Sequence, residues 1–301
     1  MKKILITGAN GLLGQKLVGL LTQQPEVNLI ATARGANRLP QAEGYLYRPM
    51  DITNHQAVMD VIRDTQPDVV IHTAAMTDVD KCEQQKDDCW AQNVQAVESL
   101  VEACSEVGAF LLHVSTDFIF DGTAGPYDET AEGNPISFYG WSKYAAEKVV
   151  MNSNLRWAIA RTVLVYGIAH DMTRSNIILW VKKSLEDGKN IKVVTDQWRS
   201  PTLAEDLAMG CFLIADQQAE GIFNISGKEV LTPYDMAIKT ADYFKLDKSL
   251  IAQADASTFT QVARRPPRTG FILDKSRSIL GYDPLSFEEG IAVLAGQLTQ
   301  A

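Results

Sequence analysis

The sequence predicts an α/β protein built on a doubly wound parallel sheet, with a small mixed α/β lobe at the C-terminal end. Three observations carry this. Short apolar runs alternate with amphipathic helical spacing from residue 1 to about 165. The first of these runs breaks on glycines at 8, 11 and 14. Beyond about residue 165 the rhythm gives way to shorter, interleaved segments. Such alternation implies right-handed βαβ crossovers, the Rossmann-type arrangement, with ligands at the carboxyl ends of the strands.

The elements follow in order. Ile4–Ile6 is a buried strand, Gly8–Gly14 a tight turn, and Leu13, Leu17, Leu20 and Leu21 mark one face of a helix. Glycine lets a phosphate approach the backbone, and a helix N-terminus supplies free N–H groups and partial positive charge, so a pyrophosphate is the expected guest. Asn28–Ala33 and Tyr45–Arg48 read as the second and third strands. Asn54–Thr65 reads as a helix with Asn54 as N-cap. Strands at Val69–Thr73, Phe110–Ser115 and Trp157–Thr162 enclose helices at Asp87–Val107 and Ser137–Asn152. The later part reads as helix Ser175–Leu185, strand Ile191–Thr195, helix Leu203–Ala215 and strand Gly221–Ser226, which is expected to rejoin the main sheet. A helix at Pro233–Phe244 opens on Thr232 and Pro233, and a last helix starts near Ser286. The expected division is a dinucleotide-binding domain over 1–165, with 201–228 returning to it, and a substrate lobe from 166–200 and 229–301.

Composition narrows the function. A net charge of −9 argues against a general nucleic-acid binder. The four cysteines (82, 89, 104, 211) show no CxxC spacing and no nearby histidine pairing, so neither a zinc site nor a disulfide framework is expected, and a reducing cytoplasm is. The N-terminal apolar run is too short for a signal peptide, and no stretch reaches membrane-spanning length.

Tyr139 and Lys143 stand four apart on a predicted helix and share one face. A nearby ammonium favours phenolate, so Lys143 is expected to lower the Tyr139 pKa and make it a usable acid or base. Taken alone, a YxxxK spacing is more often a surface pair. The strand Leu111–Val114 delivers Ser115 and Thr116 at its end, where Thr116 can bond the same substrate oxygen or simply cap the strand.

Together these pieces resemble the extended short-chain dehydrogenase/reductase superfamily. The matching residues are Thr7–Gly14, Asp51-Ile52, Ala74-Ala75, Asn93, Ser115-Thr116, Tyr139–Lys143 and Arg161–Gly167, in order over most of the chain. Within it the sequence is most similar to dTDP-4-dehydrorhamnose reductases, through His72–Glu83, Ser115–Gly122, Thr195–Gln197, Ser200–Thr202 and Asp206–Ala208. The resemblance implies reduction, by NAD(P)H, of the 4-keto group of a nucleotide-linked deoxysugar. It implies Tyr139 as proton donor, Lys143 tuning it and binding the nicotinamide ribose, and Thr116 orienting the carbonyl. Gly8, Asn10, Gly11, Leu12, Leu13 and Gly14 would hold the pyrophosphate, and Asp51 and Ile52 would meet the adenine. Ala74, Ala75 and Thr77 would line the cofactor, with Asn93 behind them. A homodimer is a further expectation.

An acidic residue after the second strand would favour NAD. Arg34 stands there instead and can pair with a 2′-phosphate, so NADP is the expected cofactor and NAD the alternative; the competing reading of Arg34 is a solvated surface charge. Candidate substrate contacts are Thr116, Asn176, Trp198, Arg199 and Arg265, the last in the stiff basic run Arg264–Arg268. Asn176 could equally cap the helix that follows it. Leu164 stands where these reductases usually carry tryptophan, and Trp198-Arg199 where they carry a glycine-containing stretch. The acidic residues that bridge a metal in some relatives cannot be placed, so no metal is expected. Two other readings stay open: an epimerase or dehydratase of the same superfamily, against which Asp117-Phe118 lacks half of the dehydratase pair, and a non-catalytic NADP-binding regulatory subunit.

Overall fold

The computed structural model describes residues 1–41, 43–171 and 175–299. Its centre is a parallel seven-stranded sheet: β1 (Lys2–Thr7), β2 (Val27–Ala33), β3 (Tyr45–Pro49), β4 (Val69–His72), β5 (Phe110–Thr116), β6 (Trp157–Thr162) and, further along the chain, a strand at Gly221–Asn224. The spatial order is 221–224, β6, β5, β4, β1, β2, β3, so the winding reverses between β1 and β4. That reversal opens a crevice at the strand ends.

Strand β1 shows why the sheet is covered on both faces. Ile4 and Ile6 pack with Leu17, Val18 and Leu21 of α1 (Leu12–Leu21), whereas Leu5 between them packs with Val58 and Ile62 of α2 (His55–Thr65). Alternate side chains of a strand point to opposite faces, so an uninterrupted apolar run demands helices on each side. Asn54 caps α2 by accepting from the Ala57 N–H, as its position in the sequence predicts.

The helix expected over 87–107 is interrupted. A separate short helix, α3 (Val79–Gln84), precedes it, and the expected span itself forms α4 (Lys86–Trp90), a π turn at Ala91–Gln95 and α5 (Ala96–Val107). The π turn places Asn93 where its side chain reaches the loop after β4: Oδ1 accepts from Met76 N at 2.8 Å and Nδ2 donates to Met76 O at 3.0 Å. Helical spacing in the sequence does not distinguish a π turn from an α turn, and such turns gather at functional sites.

Helix α6 (Phe138–Met151) packs on the same face as α5, with Ser137 accepting from Gly140 N at its start. After β6 come β7 (Val165–Tyr166), α7 (Ile177–Glu186), β8 (Ile191–Val194), β9 (Thr202–Leu203) and α8 (Ala204–Gln217). The strand at Gly221–Asn224, now β10, lies beside β6 in parallel. Helix α9 (Pro233–Phe244) opens with a reciprocal capping box between Thr232 and Asp235. The strand β11 (Ile251–Ala254) pairs in parallel with β8, and its alternation is too short to stand out in the sequence. Helix α10 (Phe287–Leu298) closes the described chain. The outer elements have apolar cores of their own: Val181, Val193, Ala237 and Ile251 in one, Tyr166, Met236, Phe287 and Ile291 in another. No helix among the described residues is long and apolar enough to cross a membrane.

Candidate active site

A cavity of about 980 Å³ runs along the carboxyl ends of the strands. Its floor is the turn after β1. Gly8 has φ +73, and a Cβ there would lie 2.9 Å from the Ala74 nitrogen. A Cβ on Gly14 would lie 2.2 Å from the Gly8 carbonyl oxygen, so no side chain fits between turn and helix. Gly11 differs: its Cβ would meet only Gly8 O, at 3.3 Å, and it borders the cavity. Gly11 is also the N-cap of α1, and no side chain caps that helix. The N–H groups of the first turn therefore face the cavity, which suits a phosphate. The residues present fit a dinucleotide.

Asn10, Leu12 and Leu13 complete this wall, and Arg34, Asp51, Ile52, Ala74, Ala75 and Thr77 line the cavity beside it. Asn10 does so indirectly as well: its side chain accepts from Arg38 N and donates to Ala36 O, each at 3.0 Å, fixing the loop after β2. Asn93 does not reach the cavity. It is 1% exposed and hydrogen-bonds Met76 and, at 2.9 Å, the Ser142 hydroxyl, so it braces the wall from behind.

Thr116, Tyr139 and Lys143 converge on the middle of the cavity, Thr116 at the end of β5 and the other two on one face of α6. The Tyr139 phenol faces the Thr116 hydroxyl. Thr116 donates to Asp117 Oδ1 at 3.1 Å, and the other Asp117 oxygen accepts from Thr269. Burial lifts the Asp117 carboxyl above its ordinary range, against the pull of Arg199 and the two hydroxyls.

Contrary to the expectation from their spacing, Lys143 does not lower the Tyr139 pKa. Burial raises the phenol above its usual value, and the ammonium is engaged elsewhere. Lys143 Nζ donates to Val114 O at 2.8 Å and lies 3.1 Å from His113 Nε2. Burial lowers the Lys143 pKa to about 8, opposed by the charges of Glu147 and Cys89. Tyr139 is consequently held protonated at neutral pH, the state a proton donor needs.

The candidate substrate contacts divide. Asn176 lines the cavity and also caps α7, accepting from Leu179 N at 3.0 Å and donating to Gly167 O at 2.8 Å. Arg265 lines the cavity, held by two bonds to the Asp80 carboxylate at 3.1 and 2.8 Å. Trp198 and Arg199 do not border it. Arg199 is 5% exposed and donates to the carbonyls of Trp198 at 2.7 Å and Pro266 at 2.6 Å. The Trp198 ring stacks under the Arg268 guanidinium at 5.8 Å. Both residues brace the loop that carries Arg265, because a buried guanidinium takes whatever carbonyls lie within reach. Leu164, 43% exposed, borders the cavity with its backbone in the left-handed region, φ 37. Asp117 and Gln92 also line it, and no local spacing in the sequence marks them as ligands. Among the described residues no group of histidine, cysteine and carboxylate side chains could hold a metal ion.

The family model for the RmlD substrate binding domain matches residues 1–299. The chain belongs to the RmlD family. A relative of this RmlD-family chain is "Methionine adenosyltransferase 2 subunit beta" from Bos taurus, 33% identical, covering 82% of this chain and 74% of the relative. Among solved structures, a dTDP-4-dehydrorhamnose reductase from Clostridium acetobutylicum superposes with a TM-score of 0.85 at 29% identity, covering 99% of each chain. The dTDP-4-dehydrorhamnose reductase from Bacillus anthracis, solved in complex with NADP, gives 0.83 at 29% identity and covers 99% of this chain and 100% of its own.

Proposed function

We propose that this RmlD-family chain is an NAD(P)H-dependent reductase of the 4-keto group of a nucleotide-linked deoxysugar, of the dTDP-4-dehydrorhamnose reductase type. The observation that carries the reading is the meeting of Thr116, Tyr139 and Lys143 in one cavity whose far wall is the uncapped glycine turn. The reductase from Bacillus anthracis, bound to NADP, supports the choice of cofactor.

In this reading Gly8, Gly11 and Gly14 bring the backbone against the pyrophosphate, and Arg34 meets a 2′-phosphate. The nicotinamide, when bound, supplies the hydride. Thr116 fixes the carbonyl oxygen beside the phenol, and Tyr139 gives that oxygen its proton. Lys143 holds the nicotinamide ribose with the ammonium proton not taken by β5. Arg265 and Asn176 face the nucleotide-sugar end, where arginine suits a diphosphate. Residues 1–165 with 201–228 form the dinucleotide-binding domain, and 166–200 with 229–301 the substrate lobe.

The experiment is NADPH oxidation with a panel of nucleotide-linked 4-keto sugars. Turnover with a dTDP-linked member is the expected result. The regulatory reading has the subunit-beta relatives behind it. No oxidation with any sugar, despite NADPH binding, would overturn the reductase reading in its favour.

A further inference from the structure

We propose that His113 is a positioning residue for Lys143, an inference that rests on the reductase reading above: its neutral imidazole accepts a hydrogen bond from the buried ammonium and fixes how that ammonium meets the cavity. His113 lies on β5 directly beneath the site, 0% exposed, with Nε2 3.1 Å from Lys143 Nζ. An ammonium has three donors and no acceptor. The contact therefore requires a bare Nε2, and the His113 proton must sit on Nδ1. Yet Nδ1 has no hydrogen-bond partner among the described residues. An unpaired buried donor costs free energy, so local packing does not select this tautomer. The bond to Lys143 does.

The surroundings keep the imidazole uncharged. His113 stacks on His72 of β4, ring centroids 5.3 Å apart, and His72 Nδ1 meets the Thr7 hydroxyl at 2.7 Å. Burial and the Lys143 charge hold both histidines far below their usual pKa. Facing Lys143 are Glu147 on its own helix, Cys89 on α4, and the two neutral histidines on β5 and β4. Glu147 is itself committed to Arg161 of β6 by bonds of 3.1 and 2.8 Å. With Val114 O and His113 Nε2 taking two ammonium protons, one remains for the cavity that Lys143 lines. Removing the His113 acceptor frees the ammonium to turn and disfavours its charged form.

The test titrates Lys143 in the cofactor-free protein, by NMR of lysine labelled at Cε, with Lys143→Met identifying the resonance. His113→Gln places a carbonyl oxygen near the position of Nε2, whereas His113→Asn places it near Nδ1, out of reach of the lysine. The wild type should titrate near 8. The Asn variant should titrate lower by about one pH unit or more, and the Gln variant should return toward the wild type. A merely structural histidine would leave all three midpoints together, and that result would overturn the proposal. Should neither variant fold, the ¹⁵N spectrum of the wild-type histidines decides alone. A proton on His113 Nδ1 supports the proposal, and a proton on Nε2 overturns it. Both measurements need neither cofactor nor sugar, so their failure is separate from failure of the sugar panel.

Discussion

The two ends of the cavity are built by opposite means. At the β1 end the walls are backbone: a glycine with φ +73, a helix N-terminus without a side-chain cap, and strand ends packed from both faces. At the C-terminal end the wall is made of side chains such as Asn176 and Arg265, each already bonded within the protein, with the buried Arg199 behind them. Backbone sites follow from local sequence, because a glycine's freedom and a helix end are local properties. Side-chain sites depend on which neighbours the fold brings close. Three arginines end in three situations: Arg199 buried on carbonyls, Arg265 against Asp80 at the cavity, and Arg268 over an indole.

The largest test of this contrast lies where the two ends meet. Tyr139→Phe should lower kcat by roughly 100- to 10,000-fold while the NADPH dissociation constant stays unchanged. Unchanged turnover would remove the phenol from the chemistry and with it the link between the two ends. Next comes pH. Because burial lowers the Lys143 pKa to about 8, the ammonium is present below that pH and lost above it. NADPH affinity and turnover should both decline as pH rises through 8; a flat profile up to pH 10 would show that the lysine charge is not used.

The backbone end should be intolerant of added atoms. Gly14→Ala forces a methyl against the Gly8 carbonyl, at a cost of about 1–3 kcal/mol seen as a lower Tm, together with weaker NADPH binding. A wild-type Tm and affinity would mean that the turn can relax. The side-chain end should split in two. Arg199→Met should lower stability by about 1–3 kcal/mol through the carbonyls and the buried Asp117 carboxyl it leaves unpaired. Arg265→Met should instead raise the substrate KM with little change in Tm. The reverse pattern would exchange their roles. The smallest effect is expected at exposed Arg34, where alanine should weaken NADPH binding by up to about fivefold and leave NADH binding unchanged. Equal losses would make Arg34 a surface charge without a part in cofactor choice.

Much of this was legible in the residues, for reasons that differ from place to place. The strands from Ile4, Val69, Phe110 and Trp157 are short apolar runs between helical segments, and the structure places them side by side in one parallel sheet. The N-caps Asn54, Ser137 and Thr232 act over three residues, within the range a sequence displays. The interruption of the 87–107 helix was not legible, because a π turn keeps apolar spacing while shifting one residue inward. Nor were the roles of Trp198 and Arg199, whose partners Arg268 and Pro266 lie 70 and 67 residues away.

The sequence by itself determined the alternation of strands and helices, the glycine turn after the first strand and the placing of a phenol and an amine on one helical face. Each of these is set by the residue and its near neighbours through periodicity, glycine and capping. Only the tertiary structure decided what the amine bonds to, which arginine reaches the cavity, and that the phenol is pushed toward its protonated form. Those outcomes depend on burial and on partners from distant strands, and desolvation is a property of the folded whole.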